Sequence, residues 1–111
     1  MLVYCVYDAT NNKRQEYIYF TFDRQDALDE PYLNYCKHLT RYEQQRMKSS
    51  KGYYVVEGYD IEVLPGEKAE SAFRRVAKEH DIHMDDSNVV FCEVFTYDDL
   101  KSREDANRKE D

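Results

Sequence analysis

The sequence has few of the glycines that form phosphate-binding loops and few of the cysteines that form disulfides and zinc sites. Its 111 residues include no tryptophan, two prolines, three glycines and three cysteines. The glycines are far apart, so there is no glycine-rich loop to hold phosphate groups. Cys5, Cys36 and Cys92 are odd in number and widely spaced, which argues against a disulfide framework and a zinc site. Each lies in an apolar run, and we expect buried, reduced thiols.

Two further absences concern location. No apolar run approaches the roughly 20 residues that span a bilayer. The opening segment Met1–Tyr4 has no basic residues before its apolar ones, so it does not have the pattern of a signal peptide. We therefore expect a soluble, cytoplasmic protein.

Positive charge is missing from one long stretch. Residues 79–100 contain no lysine or arginine but seven carboxylates, a charge equal to the net charge of −7 for the whole chain. A one-sided field of this kind steers basic partners toward the protein and repels nucleic acid. We therefore expect no direct contact with nucleic acid.

The apolar residues that are present form strongly patterned runs, which predict one domain. The predicted elements are strands over Leu2–Tyr7, Tyr17–Phe22, Tyr53–Leu64 and Val89–Tyr97, a helical segment from Asp23 to about Ser49, and a helix from about Glu67 to His80. Asp23 is predicted to cap the first helical segment, and Pro31 either ends a short first turn or opens the main helix, whose apolar stripe includes Tyr35 and Tyr42. Both faces of the first strand are apolar, which indicates a central strand that is covered on both sides. Gly58 in the third strand indicates a bulge.

The element order ββαβαβ predicts the fold class. We expect an α+β two-layer sandwich, with a four-stranded mixed or antiparallel sheet and two packed helices. Residues 1–97 are predicted to form the single domain. Residues 98–111 are a charged tail, either helical or frayed.

Carboxylates are the main candidate site. Spaced along a rigid scaffold, they can substitute for the phosphates of a nucleic-acid strand and occupy a basic groove on a partner. The candidate partner-binding residues are Asp81, Asp85, Asp86, Glu93, Asp98 and Asp99, followed by Glu57, Asp60 and Glu62. The alternative interpretation of such a charge run is a solvated surface.

Other constellations support weaker hypotheses. His80 and His83 lie near Asp85 and Asp86, a combination that could hold a metal ion in a small enzyme. A basic stretch from Lys37 to Lys51, with Tyr35 and Tyr42 as its neighbouring aromatic residues, could contact nucleic acid, although the overall charge opposes this. No catalytic pairing of side chains is evident, and we expect no cofactor.

Three stretches support a resemblance. They are the opening Leu2–Tyr7, the strand-to-helix segment Phe20–Ala27, and Tyr53–Ile61. In them the chain resembles small proteins of phages and mobile elements, in the style of acidic anti-CRISPR inhibitors. The resemblance implies binding to a host defence protein, such as a CRISPR nuclease complex, by imitation of DNA. The basic residues between Lys37 and Lys51 depart from a pure DNA mimic.

The sequence thus leads to three hypotheses. The first is a non-enzymatic acidic inhibitor of a nucleic-acid-handling protein. The second is a self-associating structural module that forms a homodimer. Its exposed sheet edge, the second or the fourth strand, pairs with a copy of itself. The third is the small metal-dependent enzyme at His80 and His83.

Overall fold

A computed structural model describes residues 1–10, 16–80 and 89–109 of the chain. The strands are β1 (Leu2–Asp8), β2 (Glu16–Thr21), β3 (Tyr53–Asp60) and β4 (Val89–Thr96), and the helices are α1 (Arg24–Lys37), α2 (Arg41–Ser49), α3 (Ala69–His80) and α4 (Tyr97–Lys109). The strands form one antiparallel sheet in the order β2-β1-β3-β4. The α+β class and the four-stranded antiparallel sheet are therefore confirmed.

Helices cover both faces of this sheet, so the molecule has three layers where two were predicted. On one face, Val3 and Cys5 of β1 pack with Phe73 of α3. On the other face, Tyr4 and Val6 pack with Ala27 of α1, and α2 and α4 add Met47 and Leu100 to a neighbouring cluster. The central position of β1, covered on both sides, is as predicted. The two apolar faces of one strand require a helix on each side.

The helical segment predicted to run to Ser49 is two helices. Asp23 caps α1 as predicted, and its side chain accepts a hydrogen bond from the backbone nitrogen of Asp26 at 3.1 Å. The helix ends at Lys37, and α2 starts after Thr40, whose hydroxyl and backbone form a reciprocal capping box with Glu43. The change of direction leaves Tyr42, predicted on the apolar stripe, 73% exposed.

Strand β3 ends at Asp60, four residues earlier than predicted, and the chain runs on without regular structure to a turn at Pro65 and Gly66. Glu67 accepts a hydrogen bond from the backbone nitrogen of Leu64 at 3.0 Å and pairs with Arg75 at 3.0 Å. These contacts hold the turn before α3, which begins at Ala69 instead of Glu67. The register of β3 against β4 does shift between Gly58 and Tyr59, but the extra residue is Val90, so the irregularity belongs to β4 and not to the third strand, where Gly58 was predicted to mark a bulge.

The charged tail forms helix α4 over its described residues. Leu100 is 2% exposed and lies in a buried cluster with Tyr35, Met47 and Tyr54. Arg103 of α4 pairs with Asp29 of α1 at 3.3 Å. Residues 98–109 therefore contribute to the core and surface of the fold. Within the described residues, no helix is both long enough and apolar enough to cross a membrane.

Candidate functional site

The predicted acidic site is only partly within the described residues. Asp81, Asp85 and Asp86 lie outside them, as do His83 and the side chain of His80. The described members are Glu57, Asp60, Glu62, Glu93, Asp98 and Asp99. Their positions show what this set of carboxylates can do.

Asp98 and Asp99 lie at the first turn of α4. Asp99 accepts hydrogen bonds from the backbone nitrogen of Thr96 at 2.9 Å and from its hydroxyl at 3.0 Å. The Thr96 hydroxyl in turn accepts one from the backbone nitrogen of Asp99 at 3.3 Å. This reciprocal cap starts the helix, so Asp99 has a structural role. Asp98 is exposed.

Asp60 and Glu62 lie at the opposite end of the sheet. The carboxylate of Asp60 is 3.3 Å from the amino group of Met1. Glu62 is exposed, and its backbone oxygen accepts a hydrogen bond from Arg75 at 2.9 Å. Along β3, the seven steps from Tyr53, which faces Thr96, to Asp60 span about 23 Å. The carboxylates at the two ends are therefore far apart.

Glu57 and Glu93 lie mid-sheet on opposite faces. Glu57 shares the face of Cys5 and Cys92, its neighbours across β1 and β4. It accepts a hydrogen bond from the Tyr59 hydroxyl at 2.7 Å. Glu93 is exposed and faces Val56, which belongs to the other face. The described carboxylates therefore do not form one cluster.

The surroundings of Glu57 suppress ionisation of its neighbours. Burial, and then hydrogen bonding to Glu57, raises the pKa of the Tyr7 and Tyr59 hydroxyls. Burial, and then the charge of Glu57, raises the pKa of the Cys5 and Cys92 thiols. A catalytic cysteine needs a lowered pKa, so these two thiols are poor nucleophiles at neutral pH.

The thiols differ in exposure from the prediction. Cys5 is buried as expected, whereas Cys36 and Cys92 are exposed, and all three are free. The prediction is wrong for Cys36 because α1 turns this residue to its outer surface, and for Cys92 because no described helix lies over its part of β4. Within the described part of the chain, no group of three histidine, cysteine or acidic side chains could hold a metal ion.

The basic stretch lies on the surface of the α1–α2 region. Lys37, His38, Arg41, Arg46 and Lys48 are exposed. The two tyrosines that gave the stretch its aromatic character differ, since Tyr35 is buried in the core and Tyr42 is exposed. The basic stretch therefore offers one exposed aromatic ring, that of Tyr42, and not a series of rings on which bases could stack.

The open surface that the sequence only partly indicated is the edge strand β4. It pairs with β3 alone among the described strands, and five of its eight residues are exposed. Val90 and Val94 are 54% and 50% exposed, and Cys92 lies between them. Helix α3 packs mainly on β1 and β2, and among the described residues Val90, Cys92 and Val94 on this face of β4 remain exposed. We call these eight residues the β4 edge.

A second apolar feature lies at the end of the sheet where β1 begins. It is a groove of about 740 Å³. Its exposed apolar side chains are Met1, Leu2, Phe22 and Leu64. Leu64, at 43% exposed, is comparable to the β4 valines and provides a matched control position for them.

The comparisons with known proteins add no relative. No protein-family model, no curated protein and no solved structure matches the chain. The resemblance to anti-CRISPR inhibitors therefore stays a prediction, and the argument for function depends on the geometry above.

Proposed function

We propose that this chain is a non-enzymatic structural module that self-associates through the β4 edge. The observation that supports this proposal is an edge strand, β4, that has one partner among the described strands and whose Val90 and Val94 side chains are about half exposed. Unpaired strand edges carry rows of backbone donors and acceptors that pair with another chain unless they are blocked. Contiguous exposed apolar side chains likewise mark interaction surfaces.

The opposite edge of the sheet makes a useful contrast. Tyr17 and Phe20 of β2 pack with Phe73 on one face, and Ile18 and Tyr19 pack into the cluster on the other. Five of the six β2 residues are partly buried, whereas β4 has five exposed residues in eight. Both β2 and β4 are edge strands with one partner among the described strands, but β4 exposes more side chains, and it is therefore the candidate for association.

Burial of Val90 and Val94 gives an estimate of the apolar free energy gained on association. A fully buried valine side chain contributes roughly 1.5–3 kcal/mol, so burying the exposed half contributes about 1 kcal/mol. Two such valines in each of two copies give about 4 kcal/mol, a factor of roughly a thousand in the association constant. This gain alone corresponds to a dissociation constant of about 1 mM, and the loss of translational and rotational freedom opposes it, so the backbone hydrogen bonds between the paired strands must supply the rest. We therefore expect a weak, reversible dimer whose population depends on protein concentration.

Sedimentation velocity over a range of concentrations tests this proposal. The wild-type chain is expected to shift from monomer to dimer as concentration rises, and Val94→Lys is expected to stay monomeric because it places a charge in the apolar contact. Leu64→Lys is the control, since it makes the same change at a comparably exposed site away from the edge. A wild-type chain that stays monomeric, or equal effects of the two variants, would contradict the proposal.

A second candidate function is the acidic inhibitor of a nucleic-acid-handling protein, such as a CRISPR nuclease complex in the host. It is supported by the exposed carboxylates of Glu62, Glu93 and Asp98. They are spread along the sheet at separations larger than the distance between neighbouring phosphates of a nucleic-acid strand. The test is inhibition of cleavage by such a nuclease at low and high salt. Reversal of these three residues to lysine, with the cap residue Asp99 retained, should abolish inhibition. Inhibition that survives the reversal would exclude mimicry.

A further inference from the structure

The β4 edge also restricts how two copies can pair, an inference that rests on the proposed function. A two-fold axis perpendicular to the sheet makes neighbouring strands antiparallel and keeps equivalent faces on the same side. Side chains that face each other across an antiparallel pair point to the same face, and side chains alternate along a strand. The axis must therefore lie where one residue faces the same residue of the second copy. An axis midway between two consecutive residues would make side chains of opposite faces meet.

Two axes near the middle of Val89–Thr96 can be compared. An axis at Glu93 pairs residues 90–96 of the two copies. An axis at Cys92 pairs residues 90–94, because the register shift at Val90 places Val89 on the face of Tyr59 and Phe95 on the opposite face. The axis at Glu93 places the two Glu93 carboxylates directly opposite each other. Like charges at facing positions destabilise a sheet, so this arrangement is disfavoured.

The axis at Cys92 instead produces complementary contacts. Val90 faces Val94 of the second copy, so the exposed valines cover one another. Glu93 faces Phe91 of the second copy, and the guanidinium of Arg24 lies 4.3 Å from the centre of the Phe91 ring. Each Glu93 carboxylate would thus approach an arginine of the other copy, which gives two symmetric ion pairs across the edge.

Two further features bear on this pairing. Val90 is the extra residue where β4 shifts register against β3, so we expect the regular ladder to centre on Phe91–Glu93. At the axis, the two Cys92 residues face each other. Facing residues in an antiparallel pair have Cα atoms about 4.5–5.5 Å apart, within the range that a disulfide spans.

We infer that two copies of this chain pair antiparallel along β4 about an axis at Cys92, with Glu93 of each copy against Arg24 of the other, and that a disulfide between the facing Cys92 thiols can lock the dimer. Closing that bond removes two protons and two electrons from the thiols. With diamide as the oxidant, both protons and both electrons go to its N=N bond and one S–S bond forms. A low-molecular-weight disulfide can serve instead by exchange.

A charge swap tests the register without oxidation. Arg24→Glu and Glu93→Arg should each weaken dimerisation about tenfold or more in sedimentation, because each removes both symmetric pairs and opposes like charges. The double variant restores opposite charges and should return the dissociation constant to within about threefold of wild type. A double variant that is no better than the single variants would overturn the register.

Cross-linking by diamide gives the second readout, on a non-reducing gel. Wild type and Cys36→Ser should form a disulfide-linked dimer, and Cys92→Ser, which keeps the exposed Cys36, should not. In the Cys92→Ser background, Glu93→Cys and Val94→Cys report on the neighbouring registers and should cross-link more slowly than wild type. Faster cross-linking at either position would overturn the axis at Cys92.

The two levels of the proposal fail differently. A wild-type chain that sediments as a monomer at every concentration overturns both the proposed function and the register. A chain that dimerises, loses dimerisation in Val94→Lys, but neither recovers in the charge swap nor cross-links through Cys92 overturns the register alone.

Discussion

Truncation of Leu100 tests whether α4 belongs to the core. Leu100 is 2% exposed and packs with Tyr35, Met47 and Tyr54, so Leu100→Ala leaves a cavity among large side chains. Buried leucine-to-alanine changes cost about 2–5 kcal/mol, and we take about 3 kcal/mol here. With an unfolding entropy near 2.1 cal/mol/K per residue, a chain of this length loses about 13 °C in melting temperature.

The assay is urea unfolding followed by circular dichroism, together with a thermal melt, at protein concentrations where the chain is monomeric. Tyr42→Ala on α2 is the control, because this 73% exposed residue should change the free energy of unfolding by less than about 0.5 kcal/mol. If Leu100→Ala is as mild as Tyr42→Ala, α4 does not pack on the domain, and the described core is incorrect in this region.

Two further predictions concern stability. Burial is the first cause that raises the pKa of Cys5, Tyr7, Tyr17 and Tyr59, so the folded state favours their neutral forms. Their contribution to the free energy of unfolding is complete below the unfolded-state pKa values, about 8.5 for cysteine and 10 for tyrosine. It is lost as pH rises above those values toward the pKa values of the folded state. The urea midpoint should therefore be lower at pH 10.5 than at pH 8, and equal midpoints would contradict the burial of these groups. Thr40→Ala removes the cap of α2 and should cost about 1 kcal/mol in urea unfolding, with Thr40→Ser as the control that keeps the hydroxyl; equal losses in both variants would exclude the capping role.

Much of the sheet could be predicted because it depends on local patterns. The two apolar faces of β1 indicated its central position. Gly58 marked the point where the register of β3 and β4 shifts, although the extra residue, Val90, belongs to β4. A Cβ atom at Gly58 would lie 2.9 Å from the Tyr4 ring, which explains why a glycine stands there. The assignment of the second and fourth strands to the edges is also confirmed by the strand order.

The break between α1 and α2 was missed although its signal is in the sequence. Tyr35, Leu39 and Tyr42 continue a helical spacing across the break, and this spacing hid the capping pair of Thr40 and Glu43. Periodicity reports which residues are apolar, but only the cap indicates that a new helix begins.

The roles of the carboxylates could not be predicted from their spacing. Asp99 and Asp60 satisfy local hydrogen bonds or charges, and Glu57 binds a tyrosine hydroxyl. The Asp60 contact requires the start of β1 to lie beside the end of β3, and the Asp99 contact requires α4 to begin directly after β4. The exposure of Val90 and Val94 likewise depends on the position of α3 over β1 and β2, which no pattern within β4 records.

Hydrogen exchange of the backbone amides as a function of protein concentration tests the central claim most directly. If the β4 edge joins two copies, the outward amides of Phe91–Phe95 should exchange more slowly at high concentration, while the amides of β2 stay unchanged. Val94→Lys should remove this dependence and Leu64→Lys should preserve it. Exchange in β4 that is independent of concentration, or protection that appears at β2 instead, would contradict the account.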